Sequence, residues 1–160
     1  MISHRGAYTN NEQMYNWYMG SFNARRMVSS PLTVEFLSNS YGTDRASIKV
    51  KIKLEQEISE GNICHIGLWE TSLNYGGRDY AYVERALAQS EALTITKANE
   101  EQIIKRTFDL DPGWNKNNLG VSVFVQNLAG KEILNGRGIK LIQGVAVEPT
   151  SLGRVKALFN

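Results

Sequence analysis

One segment limits what this chain can fold into more than any other. Ile48, Val50, Ile52 and Leu54 alternate without interruption with Lys49, Lys51, Lys53 and Glu55. Side chains along a strand point to opposite faces in turn, so strict period two describes a strand with one buried and one wet face. That pattern belongs to antiparallel sheets, because all-parallel sheets are covered on both sides and read as continuous apolar runs. The lysine row would also guard the strand against pairing with other chains if it lay at a sheet edge.

The same period recurs along the chain. Leu32, Val34 and Phe36 alternate with Thr33 and Glu35 after Pro31. Ile63 to Trp69 places Cys64, Ile66 and Leu68 on one face and His65 and Gly67 on the other. Leu93 and Ile95, Ile103 to Leu110, Leu119 to Val125, Glu132 to Leu134, Ile139 to Ile142 and Val145 to Val147 complete the strand candidates. Turn signals separate them: Tyr41-Gly42-Thr43-Asp44, Glu60-Gly61-Asn62, Asp111-Pro112-Gly113 and Ala129-Gly130-Lys131. Tyr80 to Ala88 is ambiguous, helical by composition and extended by position. Seven or eight short strands, with a turn about every ten residues, predict an all-β antiparallel sandwich, with a barrel as the alternative.

The first thirty residues follow another period. Met14, Tyr15, Trp17, Tyr18 and Phe22 recur at helical spacing over residues 11–27. Thr9 and Glu12 have capping-box spacing, and Arg25 and Arg26 fall where cations suit the helix dipole. The expected organisation is a helix or connector over residues 1–30, a sandwich over 31–148 and a tail over 149–160.

Composition removes whole classes of function. The 160 residues carry 18 basic and 16 acidic side chains, and a net charge of +2 gives no field for nucleic acid. The single cysteine excludes disulfide frameworks, CxxC redox pairs and cysteine-based zinc sites within the chain. No apolar run approaches the length of a membrane-spanning helix. Met1 to Gly6 lacks a basic-then-apolar signal, as expected of a cytoplasmic protein or of a piece of a larger one.

Candidate chemistry is sparse. Cys64 and His65 are neighbours in a strand and point to opposite faces, so they form no nucleophile–base pair with each other. His4 is the other histidine, and no spacing links it to Cys64. Asp109, Asp111 and Asn115 offer oxygen ligands for calcium, yet the spacing is not that of an EF-hand loop, and a carboxylate-rich turn explains them equally. Gly76-Gly77-Arg78 and Gly136-Arg137-Gly138 lack phosphate-loop spacing and read as turns. Lys49, Lys51 and Lys53 read as a solvated face. Trp69 and Trp114 read as structural. Tyr75, Tyr80 and Tyr82, in or beside a glycine-rich loop, are the best candidates for an exposed binding surface, together with Arg85 and Trp114. One alternative is a carbohydrate- or protein-binding module acting alone, its platform drawn from these aromatics; another places a small enzyme site between the sheets, built from His65, Glu70, Asp109 and Asp111.

Several stretches carry a resemblance. Gly113 to Asn127 (G-W-N-K-N-N-L-G-V-S-V-F-V-Q-N) and Lys131 to Gly136 (K-E-I-L-N-G) are similar to the end of a bacterial sandwich domain with the pattern W…N-L-x-V-V-x-F-V-Q-D…K-E-V-L-Q-A. Ile66 to Glu70 resembles that domain's L-x-V-x-E strand, Tyr82 to Ala86 its H-x-V-x-R-A segment, and Ser30 to Val34 its opening s-P-v-x-I. Over about residues 29–142 the chain thus resembles the family related to outer membrane protein twenty-eight and similar secreted thioredoxin-like proteins. Tyr82 stands where the pattern has histidine, and Arg85 is retained. The resemblance implies an immunoglobulin-like sandwich lying C-terminal to a thioredoxin-like domain, in a bacterial envelope or secreted protein. It implies a non-catalytic module, with no cofactor of its own, partnered by the neighbouring domain of its parent or by an envelope protein or glycan. It carries no catalytic residue over to this chain. Any redox CxxC pair would belong to the thioredoxin-like part.

Overall fold

A computed structural model of the chain describes residues 10–144. His4, Thr9, the expected strand at Val145 to Val147 and the tail lie outside the described residues.

The helix α1 (Asn11–Arg26) opens on Asn10, whose side chain accepts from the Gln13 N–H at 2.9 Å. An asparagine therefore does what the T-x-x-E spacing assigns to Thr9. Arg25 anchors the far end: its guanidinium donates to the Ile133 carbonyl at 3.0 Å and pairs with Glu132 at 2.7 Å. None of the helix's residues is buried, and Met14, Tyr15, Tyr18 and Phe22 are exposed. No helix among the described residues is long and apolar enough to cross a membrane.

The rest is an all-β sandwich. Its strands in chain order are β1 (Leu32–Tyr41), β2 (Arg45–Leu54), β3 (Asn62–Glu70), β4 (Leu73–Tyr75), β5 (Arg78–Tyr80), β6 (Val83–Leu87), β7 (Glu91–Ala92), β8 (Glu101–Asp109), β9 (Leu119–Asn127), β10 (Ile133–Lys140) and β11 (Ile142–Gln143). Seven of these have five residues or more, and the short β4, β5, β7 and β11 account for the excess over the expected number. One sheet has the order β11-β1-β2-β8 and the other β10-β9-β3-β6, with β7 also on β3. Every pairing is antiparallel except β1 with β11.

The alternating faces meet in one core. Ile48, Val50, Ile52 and Leu54 from β2 pack with Leu32, Val34, Ile104 and Phe108 of their own sheet and with Cys64, Ile66, Leu68, Leu119, Val121, Val123 and Val125 of the other. The lysine row faces water as expected, with Lys51 bonded to Glu35 at 2.9 Å. That hydrogen bond, then the negative charges of Glu101 and Glu35, holds the Lys51 ammonium above its ordinary pKa. The strand carrying it is no edge, however. It lies between β1 and β8, so Lys51 and Lys53 neutralise neighbouring carboxylates rather than repel a foreign strand.

Both open sides are closed by side chains that bond backbone groups. Asn135 donates to the Leu32 carbonyl at 2.7 Å and Asn39 to that of Lys140 at 2.8 Å, which joins β1 to β10 across the two sheets. At Leu141 the chain leaves one sheet and enters the other as β11. On the opposite side, segment 89–96 crosses over the β8 edge. Arg106 bonds the Gln89 carbonyl at 3.1 Å and the Glu91 carboxylate at 2.6 Å, and the Gln102 carboxamide accepts from the Thr94 N–H at 2.9 Å.

Three sequence readings change. Tyr80 to Ala88 is extended, as the end of β5 and then β6. Leu93 and Ile95 lie outside any strand, although Leu93 is buried. Gly136-Arg137-Gly138 is strand interior and not a turn, because these residues pair in register with Phe124, Val123 and Ser122 of β9. Gly76 and Gly77 do make a turn: both have positive φ, 59° and 75°, as a two-residue hairpin between β4 and β5 requires.

The period-two reading has a direct consequence. Ile52→Ala should cost about 2–5 kcal/mol in urea unfolding, because the site cannot collapse around the lost atoms. Ile103→Ala, on the outer face and half exposed, should cost no more than about 0.5 kcal/mol.

Candidate functional site

A charged cluster sits at one end of the sandwich. Glu70, the last residue of β3, is 3% exposed. A carboxylate so buried needs a partner. Arg85 supplies it, with Nε and Nη2 both on Oε2 at 2.8 and 2.7 Å. The approach depends on an irregularity in the pairing. Leu68 pairs with Ala86 but Trp69 pairs with Glu84, so Arg85 is the extra residue of a β-bulge, a device that re-aims a side chain.

The cluster also fixes a loop. The other carboxylate oxygen of Glu70 accepts from the Asn115 N–H at 3.1 Å. Trp114 places its ring 5.7 Å from the Arg85 guanidinium carbon, at cation–π range. Asn115 then caps the 3₁₀ turn Lys116–Asn118, and Asn117 accepts from the Tyr41 hydroxyl at 2.9 Å. The Thr71 N–H donates to the Asn118 carbonyl at 3.0 Å, so the β4–β5 hairpin leaves the sandwich beside this loop. An open depression of about 840 Å³ adjoins them, lined by Ser40, Tyr41, Thr43, Arg45, Lys116 and Gln143 among others.

The sequence candidates divide into two groups. Arg85 and Trp114 come together, half buried, around Glu70. Tyr75, Tyr80 and Tyr82 are exposed, at 76%, 42% and 74%. Tyr82 stands edge-on to Trp69, with ring centroids 5.4 Å apart. Trp69 itself bonds Ser122 at 2.9 Å.

The calcium candidates have separate partners. Asp109 pairs with Arg45 at 3.1 Å, Asp111 accepts from the Gly113 N–H at 2.7 Å, and the Asn115 side chain accepts from the Asn117 N–H at 3.2 Å. Among the described residues no three His, Cys, Asp or Glu side chains gather as a metal-binding set.

The inter-sheet enzyme site is corrected by this geometry. Apolar side chains fill the space between the sheets. Asp109 and Asp111 are exposed, and Glu70 is held by Arg85. His65 stacks on Phe124 and shares a 2.8 Å hydrogen bond with Ser90. Four residues with four unrelated sets of partners make no common site. Cys64 is 1% exposed, and burial, then the Glu91 charge, pushes its thiol up to about 12.

The sequence signal that locates the cluster is a Glu ending β3 and an Arg in β6, the strand that pairs with it beyond the β4–β5 hairpin. What it does not contain is the bulge that brings them together.

Among solved structures, the fold is similar to that of HBP35 of Porphyromonas gingivalis, at TM-score 0.68 and 17% identity over 85% of this chain. This chain spans about half of that one, 48% of its length. A domain of the outer membrane lipoprotein Omp28 from the same organism matches at TM-score 0.53 and 14% identity, over 74% of this chain and 93% of the domain. Spo0M, a sporulation control protein of Bacillus subtilis, matches at 0.50 and 12%, over 83% of this chain and 56% of that one. At these identities the likeness is one of fold. The Omp28 domain agrees at that level with the resemblance noted in the sequence. No protein-family model matches the chain, and no curated protein is similar to it in sequence.

Two measurements probe the site. Arg85→Ala leaves the Glu70 carboxylate buried and uncompensated, so it should cost about 3–5 kcal/mol in denaturant unfolding. Arg85→Lys, which keeps the charge but loses the fork, should cost less. For Cys64, a folded pKa near 12 against 9.0 for a free thiol means that the unfolded chain loses its proton first. The thiol's share of stability is complete below about pH 9 and is lost as pH rises toward 12. At about pH 8 a thiol reagent should therefore react with the native protein only as fast as it unfolds.

Proposed function

We propose that this chain is the non-catalytic, immunoglobulin-like module of a bacterial envelope or secreted protein. It packs against, or extends the reach of, a thioredoxin-like domain in the same parent chain. One observation carries the reading: the fold matches HBP35 over 85% of this chain but only 48% of that protein. The strand order supports the immunoglobulin-like part. β1-β2-β8 facing β10-β9-β3 is the arrangement of A-B-E against G-F-C, with β6 beside β3 where variable-type domains add a strand. The Omp28 domain supports the envelope part, as a sandwich of this kind within an outer membrane lipoprotein. The Glu70–Arg85–Trp114 cluster supports a binding role, because it holds the loop of Asp111 to Asn118 rigid beside an exposed, tyrosine-bearing hairpin. A preorganised loop loses less entropy on meeting a partner.

The test is an immunoblot of fractionated source cells with an antibody raised against this module. The expected result is a species well above the module's own size, in the envelope or the medium. A module-sized band confined to the cytosol would overturn the reading.

A further inference from the structure

The outer face of the β10-β9-β3-β6 sheet carries several glycines, most of them where a neighbouring group leaves little room for a Cβ. Gly67, Gly120, Gly136 and Gly138 all lie in strand interiors. Each such glycine costs about 0.5–1 kcal/mol relative to alanine. Their usual meaning is a bulge or the close approach of another group.

Gly120 has an internal reason. A Cβ there would overlap the six-membered ring of Trp69. The indole therefore lies across β9, with its N–H turned to the Ser122 hydroxyl at 2.9 Å. Tyr82 rises beside it at 77° to the indole plane. Trp69 is the floor and Tyr82 the wall of a trough of about 640 Å³ that Glu84, Ser122, Gly138 and Lys140 also line. Pairing puts the ends in register: Glu84 opposite Trp69, Trp69 opposite Gly120, and Gly120 opposite Lys140. Three strand spacings separate Glu84 from Lys140, or about 14 Å between backbones.

The charges select the ligand. A cation suits Trp69, Tyr82 and Glu84 but meets Lys140 at the other end, and two aromatic walls leave it far from caged. An anion suits Lys140 and meets Glu84. A neutral, hydroxylated ligand satisfies both ends, accepting from the ammonium and donating to the carboxylate. A pyranose also presents a flat face of C–H groups, which fits the floor. We infer that this trough binds a neutral oligosaccharide, stacked on Trp69, walled by Tyr82 and hydrogen-bonded by Glu84 and Lys140. The inference rests on the reading of the chain as a binding module and names the ligand class for one of its faces.

The experiment is a ¹H–¹⁵N NMR titration of the whole chain with cello-, xylo-, manno-, malto- and laminari-oligosaccharides. The Trp69 indole signal is assigned by its loss in Trp69→Phe or, should that variant not fold, by through-space contacts to Tyr82. At least one neutral oligosaccharide should shift that signal saturably. Tyr82→Ala, at an exposed position that leaves the fold intact, should weaken binding about threefold to tenfold. Ile103→Ala, on the outer face of the other sheet, should leave it unchanged. No shift at up to about 10 mM, well above the Kd of a millimolar site, would overturn the inference. So would a shift that Tyr82→Ala leaves untouched, or binding only of choline or a sulfated glycan. Fractionation and titration read different quantities, so either result can fail without the other.

Discussion

The fold depends on two strands whose alternating faces are turned toward each other. β2 presents Ile48, Val50, Ile52 and Leu54, and β9 presents Leu119, Val121, Val123 and Val125, all 2% exposed or less. These β-branched and leucine side chains fit a pleated, half-buried surface, and each is worth roughly 1.5–3 kcal/mol when buried. Slipping either strand by one residue would put Lys49, Lys51 and Lys53, or Ser122, Phe124 and Gln126, into the core. Register is therefore fixed by burial, and the hairpins and crossovers need only be compatible with it. That explains how connections as different as a two-glycine turn and the crossover at residues 89–96 coexist in one sandwich.

Where alternation lapses, the structure does something specific. The bulge at Arg85 turns a cation toward Glu70 and thereby fixes the loop carrying Trp114 and Asn115. A second bulge, between Ile133 and Asn135, sets Asn135 on the Leu32 carbonyl and helps close the sandwich at β1. Edge backbone groups are a liability when left free. Here asparagine and arginine side chains take up part of that hydrogen-bonding capacity, on both open sides.

These lapses also mark what the sequence could tell. Ile48 to Leu54 and Leu119 to Val125 are readable because one physical term, burial of one face, dictates every second residue. The helix is readable from its own period and its terminal residues, although it buries no face: its exposed Met14, Tyr15, Tyr18 and Phe22 show that periodicity alone does not say what a face packs against. β6 is not readable from Val83-Glu84-Arg85-Ala86-Leu87, because helix-forming residues are held extended by pairing with β3 and by the Arg85–Glu70 bond. Tertiary contacts there outweigh local propensity. The Gly136-Arg137-Gly138 stretch fails as a turn for a related reason: glycine is common in turns because it tolerates many conformations, and in β10 that freedom goes unused. On the site, Arg85 and Trp114 were visible as residue types, and their junction at Glu70 was not, since a bulge leaves no fixed spacing in a sequence.

The interior leaves little for chemistry. Its polar members, Glu70 and Asn62, are bonded within the fold, and the Cys64 thiol is kept protonated by its burial. The outside of the sheets and the loops are where the described residues accept costs that stability does not require. Solvent-exposed tyrosines on a hairpin are one such cost. In a domain whose core alone would specify the fold, residues that neither fill the core nor strengthen the sheet are the ones that point to a ligand. Trp69 belongs to both descriptions: one face of its ring packs on Gly120 and steadies the sheet, and the same packing holds the opposite face in a fixed plane beside Tyr82.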